Sequence, residues 1–339
     1  MKSFWIFRTN LRPLEYYHSI KDLQTFKKGC HDFYLLMGIW FLENNIVDEV
    51  IVWRLKPKGV VSDIEFIVKG KKFIQKFVDD FSYCFSYPKP YITFWRGGFE
   101  DYDRLTSARS YFFSPRSFYL AAGKRTIPQY GGKYDRILVE SDLDLSKGIW
   151  PFYKTANQEI FKPLNLQKKY DVCWISNFTQ LKFKGQQFFI EQVSKSKFLK
   201  GLPICHVGNN PEVGIQLCKK CGVSNIKFLG YLTRPQINEV LNMSKFGLVT
   251  SNSIDGCPRV ITEVMCSGTP LLVRKQTRLL EYYRKFGVIV FDDNEVEKKF
   301  EQAFKTYDFL KTETNINVGD LLTTEKVCKK NLELWLYKN

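Results

Sequence analysis

The sequence lacks any long run of apolar residues. The most apolar stretch, DFYLLMGIWFLENN, is short and flanked by charge, whereas a helix that spans a bilayer needs about 20 consecutive apolar residues. The opening segment, MKSFWIFRTNLRP, has no apolar part long enough for a signal peptide, because Arg8 and Arg12 interrupt it. We therefore expect no membrane span and a location in the cytoplasm, or in the cytoplasm of a host.

The sequence also lacks the cysteine and histidine patterns of metal sites and disulfide frameworks. The CKKC segment at 218–221 has no partner pair at zinc spacing and is typical of the end of a helix, so we expect no metal. Nine cysteines are an odd number and are scattered through predicted strands and helices. This distribution indicates reduced thiols rather than disulfides.

Acidic residues are too few to balance the basic ones. The chain has 35 Asp and Glu against 51 Lys and Arg, which gives a formal net charge of +16. Such a surplus favours anionic partners: nucleic acid, phosphate-bearing ligands or anionic membrane surfaces. The basic residues are dispersed, so a lysine-rich solvated surface explains them slightly better than a dedicated polyanion groove, and both interpretations stay open.

Strands and helices alternate through the second half. A chain of 339 residues exceeds the usual size of one compact core, so we expect two domains. From residue 170 onward, apolar runs such as YDVCWIS, PICHVG and FGLVTS alternate with helical patterns such as GQQFFIEQVSKSKF and PRVITEVMCSG. This predicts an α/β fold with a parallel sheet that binds ligands at the carboxyl ends of its strands.

The first half is less regular but similar in kind. FWIFR, EVIVWRL, YITFW, SFYLAAG and DRILVES predict strands, and HDFYLLMGIWFLENN and EFIVKGKKFIQKFVDDF predict helices. The segment GIWPFYKTANQEIFKPLNLQKK, which contains Pro151 and Pro163, lacks periodicity and indicates a connection between the two halves.

The stretch SNSIDGCPRVITEVMCSGTPLLV resembles the signature of glycosyltransferase family 4, a group of retaining transferases with the GT-B fold. The family carries an acid, seven residues, a glutamate and then Gly-x-Pro, and this chain has Asp255, Glu263 and Gly268-Thr269-Pro270. KGQQFFI resembles the Lys-Gly opening of the first helix in the family's donor domain, and NQEIFKP resembles the preceding linker. The resemblance covers about residues 157–292.

The resemblance implies the GT-B architecture, with two Rossmann-like domains whose parallel sheets face a cleft. We accordingly expect an acceptor-binding domain at 1–152, a linker at 153–168 and a nucleotide-sugar-binding domain at 169–316. A C-terminal helix at 317–339 is expected to pack back on the first domain.

Three residues are the catalytic candidates. The resemblance assigns Glu263 to the ribose hydroxyls of the donor, Asp255 to the hydroxyls of the transferred sugar, and Lys184 to the diphosphate. A helix N-cap is the competing interpretation of Asp255. The apolar neighbours Ile261 and Val264 argue against a solvated Glu263.

Backbone and basic groups complete the expected donor site. Gly185 follows the lysine, and Pro258 suits the first turn of a helix, so that Gly256 and Cys257 offer backbone N–H groups to a diphosphate. Arg259 can share a helix face with the glutamate four residues later.

An arginine of the family pattern is missing. Family members carry it five or six residues before the lysine, where this chain has Phe178 and Thr179. We expect Lys182 or Arg259 to take its place.

Two loops of the first domain are candidates for the acceptor site. One contains Arg96, Gly97 and Gly98 after the strand YITFW, and the other contains Lys124 and Arg125 after the strand SFYLAAG. A tight turn explains the Arg-Gly-Gly segment equally well.

These features predict a retaining glycosyltransferase that moves a hexosyl or pentosyl group from a nucleoside-diphosphate sugar, UDP- or GDP-linked, to a hydroxyl of a carbohydrate or lipid-linked acceptor. The resemblance implies no cofactor and no metal, because a lysine and a helix N-terminus take the metal's role. The alternatives are an enzyme or binding protein that acts on nucleic acid, and a catalytically weakened transferase fold. Peripheral contact with an anionic membrane is a third option.

Overall fold

The computed structural model describes most of the chain. The described residues are 2–8, 20, 22–30, 32–56, 62–79, 81–88, 90–96, 117–121, 136–139, 149–178, 184–252, 258–277 and 281–334. Among them, no helix is both long enough and apolar enough to cross a bilayer.

The chain forms two compact units. The first comprises Met1–Val139, Leu143–Tyr153 and Cys328–Asn339, and the second comprises Glu140–Asp142 and Lys154–Val327. The final segment of the chain therefore groups with the first unit. The functions that the sequence assigns to the two domains stay predictions.

The first unit is built on an eight-stranded sheet with the order β3-β4-β2-β1-β5-β6-β7-β8. All neighbouring strands are parallel except β3 and β4. The strands are β1 (Ser3–Arg8), β2 (Glu49–Leu55), β3 (Ile64–Val68), β4 (Lys71–Val78), β5 (Ile92–Arg96), β6 (Ser117–Ala121), β7 (Arg136–Val139) and β8 (Ile149–Pro151). The five strands predicted from sequence in this half are confirmed.

Helices and a short 3-10 turn accompany this sheet. They are α1 (Leu23–Gly29), α2 (Phe33–Glu43) and a 3-10 turn at Phe81–Ser86. Helix α2 is apolar around its whole circumference, and most of its side chains are buried, as expected for a helix enclosed by the core. The predicted helix HDFYLLMGIWFLENN is thereby confirmed, whereas α1 and β8 have no counterpart in the sequence predictions.

The helix predicted over EFIVKGKKFIQKFVDDF is wrong. This segment forms the antiparallel hairpin β3–β4, in which Phe66 is paired with Phe73 and their ring centroids are 6.2 Å apart. The turn consists of Lys69 and Gly70, with φ angles of 49° and 78°. Positive φ at both central residues is the hallmark of a two-residue hairpin turn whose twist matches the strands. The Lys-Gly dipeptide between two β-rich runs was therefore the informative signal.

The second unit contains a six-stranded, all-parallel sheet with the order β11-β10-β9-β12-β13-β14. This is the doubly wound order 3-2-1-4-5-6 of dinucleotide-binding sheets. Its strands are β9 (Tyr170–Ile175), β10 (Ile204–Val207), β11 (Ile226–Phe228), β12 (Ser244–Val249), β13 (Leu271–Arg274) and β14 (Val288–Phe291). Every strand predicted from sequence in this half is present.

Helices connect these strands and continue beyond the last one. They are α3 (Gln186–Lys195), α4 (Lys197–Gly201), α5 (Pro211–Cys221), α6 (Arg234–Asn242), α7 (Arg259–Cys266), a 3-10 turn at Glu281–Lys285, α8 (Val296–Lys305), α9 (Tyr307–Leu321) and α10 (Thr324–Leu332). Two details differ from expectation. The segment RLLEYYRKFG, whose apolar spacing predicts a helix, contains a 3-10 turn in its described part, and the predicted boundary at residue 317 falls inside α9.

The end of α10 is joined to the backbone of Tyr153 within the first unit. The side chain of Asn331 accepts a hydrogen bond from Tyr153 N at 3.0 Å and donates one to Tyr153 O at 2.7 Å. The ammonium of Lys330 lies 4.9 Å from the centroid of the Tyr153 ring. These contacts attach the last helix to the first unit.

Candidate active site

The order of the second sheet reverses between β9 and β12, which are neighbouring parallel strands. Ligands of such sheets bind beside the carboxyl ends of the strands at this reversal. Strand β9 leads to Lys184, Gly185 and helix α3, and strand β12 leads to helix α7, which carries Glu263. The two segments that the sequence singles out therefore follow the two strands at the reversal.

Gly185 makes the turn into α3 sterically possible. It is the N-cap of α3 and has a left-handed conformation with φ 68° and ψ 26°. A Cβ atom here would lie 2.1 Å from Thr250 O and 3.2 Å from Arg274 Nη1. Only glycine fits this position without a backbone shift, because the obstacle is a carbonyl of the adjacent strand end.

A chain of hydrogen bonds holds the Lys184 backbone at the same place. The hydroxyl of Thr250 donates to Lys184 O at 2.6 Å and accepts from Trp174 Nε1 at 3.2 Å. The N-cap residue Gly185 has no side chain that could bond the first-turn N–H groups of α3, and such groups are natural partners of an anion. Lys184 adds a positive charge to this helix end.

Arg274 was not among the sequence candidates, yet it lies beside this turn. It ends β13, and its Nε and Nη2 atoms donate to Asp293 Oδ1 and Oδ2 at 2.7 and 2.6 Å. Its guanidinium carbon is 3.8 Å from the centroid of the Phe188 ring on α3. Because Asp293 already balances its charge, Arg274 supports the turn as a structural pair. The only sequence signal was an arginine at the end of the apolar strand PLLVR.

Glu263 is almost completely buried. It lies in the second turn of α7, and 3% of its surface is exposed, which confirms that it is not a solvated helix residue. Its Oε1 atom accepts a hydrogen bond from Arg234 Nη1. Its Oε2 atom is also buried and meets no hydrogen-bond donor among the residues that the structure describes. A buried carboxylate oxygen without a donor is costly.

The partner of Glu263 comes from another helix. Glu263 forms its ion pair with Arg234. Arg259 is exposed at the first position of α7, and its expected part in donor binding stays a prediction. Arg234 opens α6 directly after Thr233, which forms a capping box with Gln236. No local pattern reveals a contact across 29 residues, so sequence reasoning missed it.

Pro258 is the N-cap residue before α7 and has an extended ψ of 141°. The helix therefore begins one residue later than the sequence predicts, and a proline suits this boundary because it has no N–H to satisfy.

His206, near the carboxyl end of β10, is a buried packing residue. Its ring lies against Trp174, Phe178 and Phe228 with centroids 4.7–5.3 Å away. Its Nε2 atom is 3.2 Å from Ser176 Oγ. Burial lowers the pKa of His206 to about 4, so the ring is neutral at physiological pH and serves as a packing group.

Several predicted site residues lie outside the described part of the chain: Lys182, Asp255, Gly256 and Cys257 for the donor, and Gly97, Gly98, Lys124 and Arg125 for the acceptor. Arg96 is the last residue of β5. Their functional assignments stay predictions.

The CKKC segment ends α5, as predicted. Among the described residues, no group of three or more His, Cys, Asp or Glu side chains is placed to hold a metal ion. None of the described cysteines is part of a disulfide.

Comparison with known proteins finds a family similarity within the second unit. Residues 169–306 match the family model "Glycosyl transferases group 1". No curated protein matches the chain.

Solved glycosyltransferases share the fold of the whole chain. Sucrose-phosphate synthase from Thermosynechococcus elongatus is 11% identical, with 99% of this chain and 98% of that chain covered and a TM-score of 0.69. A glycosyltransferase from Rickettsia africae is 13% identical, with 98% and 97% covered and a TM-score of 0.67. An α-glucosyltransferase in complex with UDP and a 13-mer DNA is 16% identical, with 98% of both chains covered and a TM-score of 0.61.

The fold is therefore the α/β architecture of GT-B glycosyltransferases, as the sequence predicts. The family match over the second unit and this fold together support a glycosyltransferase enzyme.

Proposed function

We propose that the protein is a retaining glycosyltransferase that moves a sugar from a nucleoside-diphosphate sugar to an acceptor hydroxyl without a metal. The donor is UDP- or GDP-linked. Structural neighbours in complex with UDP support a UDP-linked donor. The proposed acceptor is a carbohydrate or a lipid-linked molecule.

The buried carboxylate of Glu263 carries this proposal. One of its oxygens is paired with Arg234, and the other has no donor among the described residues. A ribose presents hydroxyl donors, which such an oxygen accepts well. Lys184 and the uncapped N-terminus of α3 follow the neighbouring strand and suit a diphosphate. A ribose site and a diphosphate site beside adjacent strands fit a nucleoside diphosphate.

The chemistry then needs no protein nucleophile. The bond between the anomeric carbon and the diphosphate oxygen breaks, and the acceptor oxygen bonds to the same face of that carbon. The proton of the acceptor hydroxyl passes to the departing diphosphate. Lys184 and the α3 N-terminus stabilise the negative charge that develops on the diphosphate.

The proposed location is the cytoplasm. The chain has nine cysteines, and none of the described ones is part of a disulfide; cysteines outside disulfides are typical of a reducing compartment.

Hydrolysis or transfer of UDP- and GDP-sugars tests the proposal. We expect Glu263→Ala and Lys184→Ala each to lower kcat/KM by about 10- to 100-fold, because each removes a hydrogen bond that involves a charged group. Exposed residues of the same unit supply matched controls, Glu239→Ala and Lys219→Ala, which should keep wild-type turnover. Wild-type turnover in both Glu263→Ala and Lys184→Ala would overturn the proposal.

A nucleic-acid acceptor is the second candidate. The net charge of +16 favours it, and one structural relative was crystallised with UDP and DNA. Binding to random duplex DNA, measured by fluorescence anisotropy at rising salt, should weaken steeply because phosphate contacts release counterions. Absence of binding near physiological salt would remove this candidate.

A further inference from the structure

The pair formed by Arg234 and Glu263 is asymmetric. The Arg234 side chain is 32% exposed, whereas the Glu263 side chain is 4% exposed. A carboxylate can accept bonds at both oxygens and often binds an arginine through two parallel bonds. Here Arg234 bonds Oε1, and Oε2 has no donor within the described residues.

Without its contact with Glu263, the positive charge of Arg234 would be in an unfavourable position. Arg234 is the first residue of α6, where the helix dipole disfavours a positive side chain. Arg234 compensates the charge of a buried carboxylate, and a buried carboxylate needs such a partner. The same contact also holds the carboxylate of Glu263 in one orientation.

We propose that Arg234 is a positioning residue that fixes Glu263 so that Oε2 accepts a ribose hydroxyl of the donor. This inference rests on the proposed function. Arg234 holds one oxygen and leaves the other for the ligand, so the enzyme distinguishes a ribonucleotide from its deoxy counterpart through Arg234 as well as Glu263.

The test compares the affinity of the protein for UDP or GDP, whichever it binds, with that for the corresponding 2′,3′-dideoxynucleotide. We expect wild type to prefer the ribonucleotide by about tenfold or more, the value of a hydrogen bond to a charged acceptor. In Arg234→Met this preference should fall to about twofold, because the carboxylate is no longer held in one orientation. Arg284→Met removes an exposed arginine of the same unit and should keep the wild-type preference.

Arg234→Lys supplies the second variant. Lysine keeps the charge but not the planar fork, so an intermediate preference is expected, and this variant remains informative if Arg234→Met does not fold. A mainly structural Arg234 would weaken both nucleotides equally. An unchanged preference in either variant therefore overturns the inference.

The failures of the two proposals are distinguishable. A wild type that binds neither UDP nor GDP overturns the proposed function and this inference together. A wild type that binds one of them with a ribose preference that the Arg234 variants retain overturns the inference alone.

Discussion

Two arginine–carboxylate pairs of the second unit differ in how completely they are satisfied. Arg274 binds both oxygens of Asp293, and Gln276 Nε2 adds a third bond at 2.9 Å. Arg234 binds one oxygen of Glu263, and the other oxygen is buried with no donor among the described residues.

This difference fits two different roles: a structural role for the Arg274–Asp293 pair and the proposed ligand-binding role for the Arg234–Glu263 pair. The Arg274–Asp293 pair is complete in itself and packs against Phe188, so it needs no ligand. The Arg234–Glu263 pair leaves Oε2 without a donor among the described residues, and we propose that a ligand supplies it. Burial of an unsatisfied charged oxygen is too costly to keep for stability alone.

Gly185→Ala should have the largest effect on stability, because the new methyl group would contact the Arg274–Asp293 pair. The new methyl group meets Thr250 O and Arg274 Nη1, and the residue must also keep a left-handed φ of 68°. We expect a loss of about 3 kcal/mol in the free energy of unfolding, together with loss of donor binding, as measured by denaturant unfolding and nucleotide titration.

Gly222→Ala is the matched control for that change. Gly222 ends α5 with φ 65°, but an added Cβ would have nothing within 4 Å. It should cost only about 1 kcal/mol of left-handed strain. If Gly185→Ala and Gly222→Ala lose equal amounts of unfolding free energy, the contact with Thr250 does not contribute to the loss.

A smaller effect on stability is expected at His206. Like Glu263, it has a buried polar atom without a hydrogen bond in the described structure, but we assign it no ligand. This atom is Nδ1, and the ring avoids a charge because burial lowers its pKa from 6.5 to about 4. Between these values the unfolded chain binds the proton and the folded chain does not, so stability falls as pH falls.

We expect wild type to lose about 2 kcal/mol between pH 7 and pH 5 through His206. His206→Phe should remove this contribution, as seen by urea unfolding at both pH values. A variant that loses as much stability as wild type would contradict the assignment.

The smallest effect is expected for Arg274→Met, the counterpart of Arg234→Met. Because Asp293 is 38% exposed, solvent can replace its lost partner, and the cost should be about 1 kcal/mol. The preference for the ribonucleotide over its dideoxy counterpart should stay at the wild-type value. A collapse of that preference, as expected for Arg234→Met, would erase the distinction between the two pairs.

The sequence predicted the second unit well because its signals are local. Each strand from Tyr170–Ile175 to Val288–Phe291 is a short apolar run between turn residues, and Gly222 ends α5 where the pattern places it. The apolar neighbours of Glu263 likewise predicted its burial.

The remaining features depend on contacts that sequence spacing does not encode. The sequence alone did not reveal the β3–β4 hairpin, because a run of apolar and basic residues fits the spacing of a helix as well as that of a strand. The positive φ angles of Lys69 and Gly70 show that the segment turns as a hairpin. Arg234 and Arg274 reach Glu263 and Gly185 across the tertiary structure. Arg234 stands out because Oε2 of Glu263 has no donor among the described residues, and Arg274 because it bonds both oxygens of Asp293.

The two hydrogen bonds between the Asn331 side chain and the Tyr153 backbone have a consequence for biosynthesis. The two residues are 178 positions apart, and nearly all of the second unit lies between them. During translation, the backbone of Tyr153 therefore emerges long before the amide that will bind it. The first unit therefore cannot make this contact until the second unit has been synthesised, and truncation before Asn331 should destabilise the first unit.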